Sequence, residues 1–198
     1  GDIEADILLH GYNDAHHLVR RESINNTRFK YSQHKEALIA LLKDTSYMNI
    51  EGVFNKLMTL YPEEKKTWLE SIKDINGVNN NLSILYHSTQ ILHNDKNSKE
   101  YLASIRALKY YASPSYDFKT RLNAMQFLQS KNIVDEEICK SLIQGTTYFN
   151  PMIRNASLAY LNIIKLEHSS IYFNTLSQYS FLNEKQKKYF FQRINNYK

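Results

Sequence analysis

A chain of 198 residues that is 42% hydrophobic and 23% charged can bury a sizeable core, and it is neither a disordered polymer nor a membrane-embedded one. Its 5 glycines and 3 prolines are too few to turn many short strands, which leaves an all-α fold. No apolar run approaches the roughly 18 residues of a membrane span, the N-terminus has no signal-like apolar core, and the single cysteine, Cys139, excludes an internal disulfide. The net charge of +5 is concentrated at one end, where Lys185, Lys187, Lys188, Arg193 and Lys198 stand against Glu184 alone. The chain opens Gly1-Asp2 with no methionine, as a portion of a longer polypeptide would. Its compartment, cytoplasmic or periplasmic, stays open.

Residues 1–45 read as irregular N-terminal helices. Two short stretches are expected to part at Gly11, with Asn13 or Asp14 capping the second. Residues 24–31 are polar and non-periodic and read as a connection, after which Ser32 caps a helix whose Leu38, Leu41 and Leu42 share a face, ending near Asp44.

Residues 46–115 read as degenerate helical pairs. Asn49 opens a helix with Ile50, Val53, Phe54 and Leu57 at helical spacing, closed by Pro62. Pro62 then starts the next helix, whose inner stripe is Trp68, Leu69, Ile72 and Ile75 and whose stop signal is Asn76-Gly77. Asn79-Asn80-Asn81 forms a loop into a helix with Leu82, Leu85, Tyr86 and Leu92 near one face. Asn97 and Glu100 have capping-box spacing ahead of a stripe of Tyr101, Ile105, Leu108 and Ala112, and that helix stops at Ser113-Pro114.

Residues 116–198 carry a repeat. Asp117-Phe-Lys-Thr-Arg121-Leu-Asn-Ala124-Met-Gln-Phe-Leu128 returns thirty-three residues later as Asn150-Pro-Met-Ile-Arg154-Asn-Ala-Ser157-Leu-Ala-Tyr-Leu161. Each copy has a capping Asp or Asn, an Arg, a small residue and a Leu at matching positions. Second helices are expected over 135–144 and about 168–179, with Ile138 and Ile171 in register. A third copy places Asn183, Lys187, Phe190 and Ile194 at the same four positions and lacks a second helix, as a terminal cap would. The residue before each cap is apolar: Tyr116, Phe149 and Leu182.

Asp117…Arg121…Ala124…Leu128 and Asn150-Pro151-x-Ile153-Arg154…Leu161 resemble the first helices of HEAT-type repeats. The resemblance implies a single domain over 1–198 built as a right-handed α-α superhelix, a HEAT/armadillo-like solenoid of antiparallel helix pairs. It also implies a ladder of Asp or Asn with Arg between neighbouring units, so that Arg121 and Arg154 serve stacking. The segment from Tyr110 to Ala124, with the all-helical remainder, is similar to the C-terminal helical region of aminopeptidase N-family zinc metallopeptidases. That family's His-Glu-x-x-His zinc helix and Gly-x-Met-Glu-Asn motif do not occur in this sequence. The likeness therefore implies a non-catalytic domain that covers a catalytic domain outside this chain, where the zinc would reside.

Other chemistry has weaker signals. His10, His16 and His17 with Asp14 are the densest set of metal-ligand types, yet their spacing matches no zinc helix with two histidines four apart, and we assign no metal site. Cys139 lies on an apolar helical stripe with Ile138 and Leu142 and reads as a structural thiol, not a nucleophile. No residue is assigned a catalytic, cofactor-binding or metal role, and no cofactor is expected in this chain. The 15 tyrosines among basic residues could stack bases, but many sit on apolar faces and the basic excess is terminal, which argues against nucleic acid. The expected partners are the chain's own catalytic domain or, for a stand-alone scaffold, another protein or peptide. A DNA-binding repeat protein is the third reading.

Overall fold

The structure, a computed structural model, describes residues 3–196, apart from the side chains of Ser32, Tyr179 and Asn196. It is all-helical, with no strand among the described residues. The helices are α1 (Ile3–Tyr12), α2 (His17–Asn26), α3 (Ser32–Leu41), α4 (Tyr47–Leu60), α5 (Lys65–Ile72), α6 (Asn81–His93), α7 (Lys99–Ala112), α8 (Phe118–Ser130), α9 (Glu136–Gly145), α10 (Pro151–Glu167), α11 (Ser169–Ser177) and α12 (Glu184–Asn196). They belong to two compact units, Gly1–Tyr86 and His87–Lys198, whose boundary falls inside α6. Within each unit the helices pack on neighbouring helices, an arrangement compatible with a helical-repeat fold. Among the described residues no helix is long and apolar enough to cross a membrane.

In the first unit α4 is the central element, packing on α2, α3 and α5. Its Ile50, Val53, Phe54 and Leu57 are all buried, as their spacing requires, together with Leu38, Leu41 and Leu42 of the preceding segment and Trp68, Leu69 and Ile72 of α5. Each such side chain taken out of water contributes about 1.5–3 kcal/mol before entropy is counted.

Several boundaries differ from the sequence reading, and each has a local cause. Helix α1 runs through Gly11 instead of ending there, because a Cβ at Gly11 would lie 1.9 Å from Ser23 Oγ, so the glycine permits close packing of α2. The cap of α2 is neither Asn13 nor Asp14 but His16, whose ring accepts from the Leu18 N–H, while Asp14 accepts from the His16 N–H. Helix α2 continues to Asn26 and buries Ile24, so the connection is only 27–31. Ser32 lies inside the first turn of α3 with Tyr31 at the cap position, and any bond from the Ser32 side chain lies outside the described residues. Helix α4 starts at Tyr47, and Pro62 opens a short 3₁₀ turn before α5.

In α6, Leu82 is buried but Leu92 is 53% exposed, and Ile84 and Ile91 take the inward positions. The cap of α7 is Ser98, which accepts from the Tyr101 N–H at 3.1 Å, instead of Asn97. The side chain of a serine at that position reaches the third amide, and this displaces the expected box by one residue.

The second unit contains the repeat, and its register persists in three dimensions. Asp117 caps α8, Asn150 caps α10, and Asn183 forms a reciprocal box with Gln186 at the start of α12, each side chain accepting from the other residue's N–H at 2.9–3.0 Å. The small-residue positions Ala124 and Ser157 and their counterpart Phe190 are all fully buried, and so are Leu128 and Leu161. Helices α8, α9, α11 and α12 all pack against α10. The end of α9 approaches α10 so closely that a Cβ at Gly145 would lie 2.2 Å from Ser157 Oγ.

Candidate functional site

The histidine-rich segment of the first unit is used for local structure. His10 bonds to the Asp6 carbonyl one turn back, and His16 and His17 stack with centroids 5.0 Å apart beside the α2 cap. Arg20 donates to the Asp14 and Ala15 carbonyls and to Asp44, and so fixes the same turn. Among the described residues no three His, Cys, Asp or Glu side chains stand together in a way that could hold a metal.

Cys139 is buried on α9. Burial pushes its thiol up to about 11, against the smaller opposing effect of a hydrogen bond with Thr175. A thiol in that state supplies almost no thiolate near neutral pH, so the residue has the character of a core side chain.

The repeated arginines behave differently from the ladder that the HEAT resemblance implies. Asp117 spends its carboxylate on its own helix, accepting from the Lys119 and Thr120 amides and the Thr120 hydroxyl. Arg121 instead donates Nε to the Ala112 carbonyl at 3.4 Å. Its guanidinium carbon stands 4.9 Å from the centre of the Tyr148 ring, within cation–π range. Arg154 donates Nη1 to the Tyr148 and Phe149 carbonyls. Both arginines therefore secure the α9–α10 connection, residues 146–150, and a third guanidinium joins them from α12, where Arg193 donates to the Thr146 carbonyl.

Arg121 is only 1% exposed, and its Nη1 has no hydrogen-bond partner. No carboxylate pairs with it among the described residues. Burial lowers its pKa from the ordinary arginine value, although an arginine keeps its proton. It lines a cavity of about 280 Å³ with Pro114, Gln144, Thr147, Tyr148, Phe149 and Gln186. The wall takes residues from the first turns of α8 and α12 and from the segment just before α10.

The sequence marked Arg121 through its period but gave no sign that the residue would be unpaired. It marked Phe149 as equivalent to Tyr116 and Leu182, yet Leu182 is buried while Phe149 is 78% exposed beside the cavity. Gln144, Thr147 and Gln186 carried no signal at all, because amides and hydroxyls in helix ends are common and only their meeting is informative.

The basic end is partly engaged: Lys187 pairs with Glu184 at 2.7 Å, and Arg193 is held at Thr146. Lys198 lies outside the described residues. No family model, no curated protein and no solved structure matches this chain.

Proposed function

We propose that this chain is a non-catalytic helical-repeat domain that works by packing on a protein surface, and that its setting is the C-terminal region of an aminopeptidase N-like zinc metallopeptidase. There it covers the catalytic domain, which carries the zinc, and helps enclose the peptide cavity. The observation that supports a packing role is the use made of the repeat-periodic residues. Arg154 reaches main-chain carbonyls of the α9–α10 connection, Arg121 bonds the Ala112 carbonyl at the end of α7 and stands against the Tyr148 ring, and the small and leucine positions are buried between helices. Periodic residues spent on stacking leave the non-repeating surface to meet a partner.

A second reading, a stand-alone scaffold for a protein or peptide, is favoured by the exposed apolar pair Phe149 and Met152 at the start of α10, 78% and 54% accessible. The encoding gene separates the two. An in-frame His-Glu-x-x-His well upstream supports the peptidase setting, and a start codon next to Asp2 overturns it. Turnover of an aminoacyl reporter by the isolated chain overturns the non-catalytic assignment in either setting.

A further inference from the structure

A buried guanidinium without a counter-charge is costly, and the usual resolution is a carboxylate or a set of hydrogen bonds to every donor. Among the described residues Arg121 has neither in full: one long bond to the Ala112 carbonyl, the Tyr148 side chain, which lies against its plane and shares a hydrogen bond with it, and an unpartnered Nη1. The nearest carboxylate on its own helix, Asp117, is committed to the cap and to Thr120. On α12, Glu184 is paired with Lys187. The positive charge therefore stands uncompensated in the wall of a cavity of about 280 Å³, where surrounding protein screens it less than water would.

The other wall residues suit an anion with an apolar neighbour. Gln186 accepts the Asn183 N–H through Oε1, which fixes its amide and leaves its NH2 end as a donor. Gln144 adds a second amide, whereas the Thr147 hydroxyl donates to the Gln144 carbonyl and keeps only lone pairs for a ligand. Tyr148 and the exposed Phe149 supply aromatic surface at the same opening. Among the described residues Arg121 is the single cation lining the cavity, which matches one negative charge better than a phosphate dianion, whose sites gather several cationic groups.

We propose that the cavity beside Arg121 binds a carboxylate carried by a peptide, with Arg121 supplying the charge, the two glutamines hydrogen bonds, and Tyr148 with Phe149 the contact for an adjoining apolar side chain. The site stands on the geometry of the second unit alone and holds whether or not the chain packs on a catalytic domain.

The test is calorimetric titration of the whole chain at low salt with three probes. These are an N-acetylated tripeptide ending in Phe with a free C-terminal carboxylate, the same peptide as its C-terminal amide, and an amide-capped peptide carrying Asp before Phe. The expected result is at least ten-fold tighter binding of one carboxylate form than of the neutral amide, and which form wins identifies a chain terminus or an acidic side chain as the source. Arg121→Gln is expected to erase that preference. Gln144→Trp, which fills the cavity from a half-buried position, is expected to weaken binding at least ten-fold, and it serves as the test if Arg121→Gln fails to fold by circular dichroism. Equal affinity for carboxylate and amide, no binding up to millimolar peptide, a preference for inorganic phosphate, or unchanged binding by Gln144→Trp overturns the proposal.

Discussion

Arg20 grips Asp44 with two prongs, Nε to Oδ2 at 2.6 Å and Nη2 to Oδ1 at 2.9 Å. The same carboxylate accepts from the Ser46 amide at 2.7 Å and from Asn49 Nδ2 at 3.1 Å, while Arg20 Nη1 holds the Asp14 and Ala15 carbonyls. This pair ties the turn before α2 to the turn before α4, and the Asp44 side chain is only 1% exposed. Asp44→Ala removes the acceptor of the Arg20 Nε and Nη2 donors and one of the two acceptors of the Asn49 amide, which keeps the His17 carbonyl. We expect a loss of about 3 kcal/mol in urea unfolding, with a much smaller effect for exposed pairs such as Lys73 with Glu70.

The same pair sets an acid limb. The Arg20 bond, opposed by burial and reinforced by Ser46 and Asn49, holds the Asp44 carboxyl well below the usual carboxylate range. A depressed folded-state pKa means that the folded protein binds its proton later than the unfolded chain does. The contribution is therefore complete above the unfolded value of about 4 and is lost as pH falls below it. Urea midpoints from pH 6 down to pH 3 should drop more steeply in the wild type than in Asp44→Asn, and parallel curves would remove Asp44 from the account.

What the sequence revealed was the short-range part of this design. The caps at Asp117, Asn150 and Asn183 were legible because a cap depends on three or four consecutive residues. The buried stripe of α4 was legible for the same reason. Leu92 was misplaced because α6 has competing apolar residues, and only packing decides that Ile84 and Ile91 face inward. The unpaired state of Arg121 was out of reach: it depends on which helix ends meet around the α9–α10 connection, and no sequence spacing encodes that meeting.

The first cap should matter more than the second. Asp117 accepts three hydrogen bonds with a full charge at the positive end of α8, and, although burial opposes it, the Thr120 and Lys119 bonds keep its pKa below the ordinary value. Asn150 accepts one, from the Met152 amide. Asp117→Ala is expected to cost about 1–2 kcal/mol and Asn150→Ala about 1 kcal/mol or less, read as shifts in the urea midpoint at neutral pH. The reverse order would show that α10 depends on its cap more than its packing implies.

Cys139 offers a probe of the second unit. With the thiol fully buried and raised to about 11, modification at pH 8 by a thiol-reactive reagent must await opening of the structure. Labelling should be slow in native buffer and quick in denaturing urea, with the native rate rising in Asp117→Ala if α8 and α9 open together. Prompt labelling of the native wild type would contradict the buried placement.

Gly145 and Ser157 meet where α9 ends against α10, and each explains the other. The Ser157 hydroxyl is buried without a hydrogen-bond partner, a cost that the close approach of a glycine backbone does not relieve. Ser157→Ala removes an unsatisfied polar group from a site that has no use for it, so stability is expected to hold or rise slightly, by up to about 1 kcal/mol. Gly145→Ala introduces a Cβ 2.2 Å from Ser157 Oγ and 3.1 Å from Ser157 Cβ. The gain of about 1 kcal/mol in helix propensity is smaller than the roughly 1–3 kcal/mol of overpacking, and the single variant should be destabilised. In the double variant the 2.2 Å contact is gone and only the tight Cβ–Cβ contact remains, so the penalty of Gly145→Ala should shrink by at least half. A double-mutant cycle in urea measures this coupling directly. Strict additivity of the two substitutions would mean that α9 and α10 do not approach each other at this point.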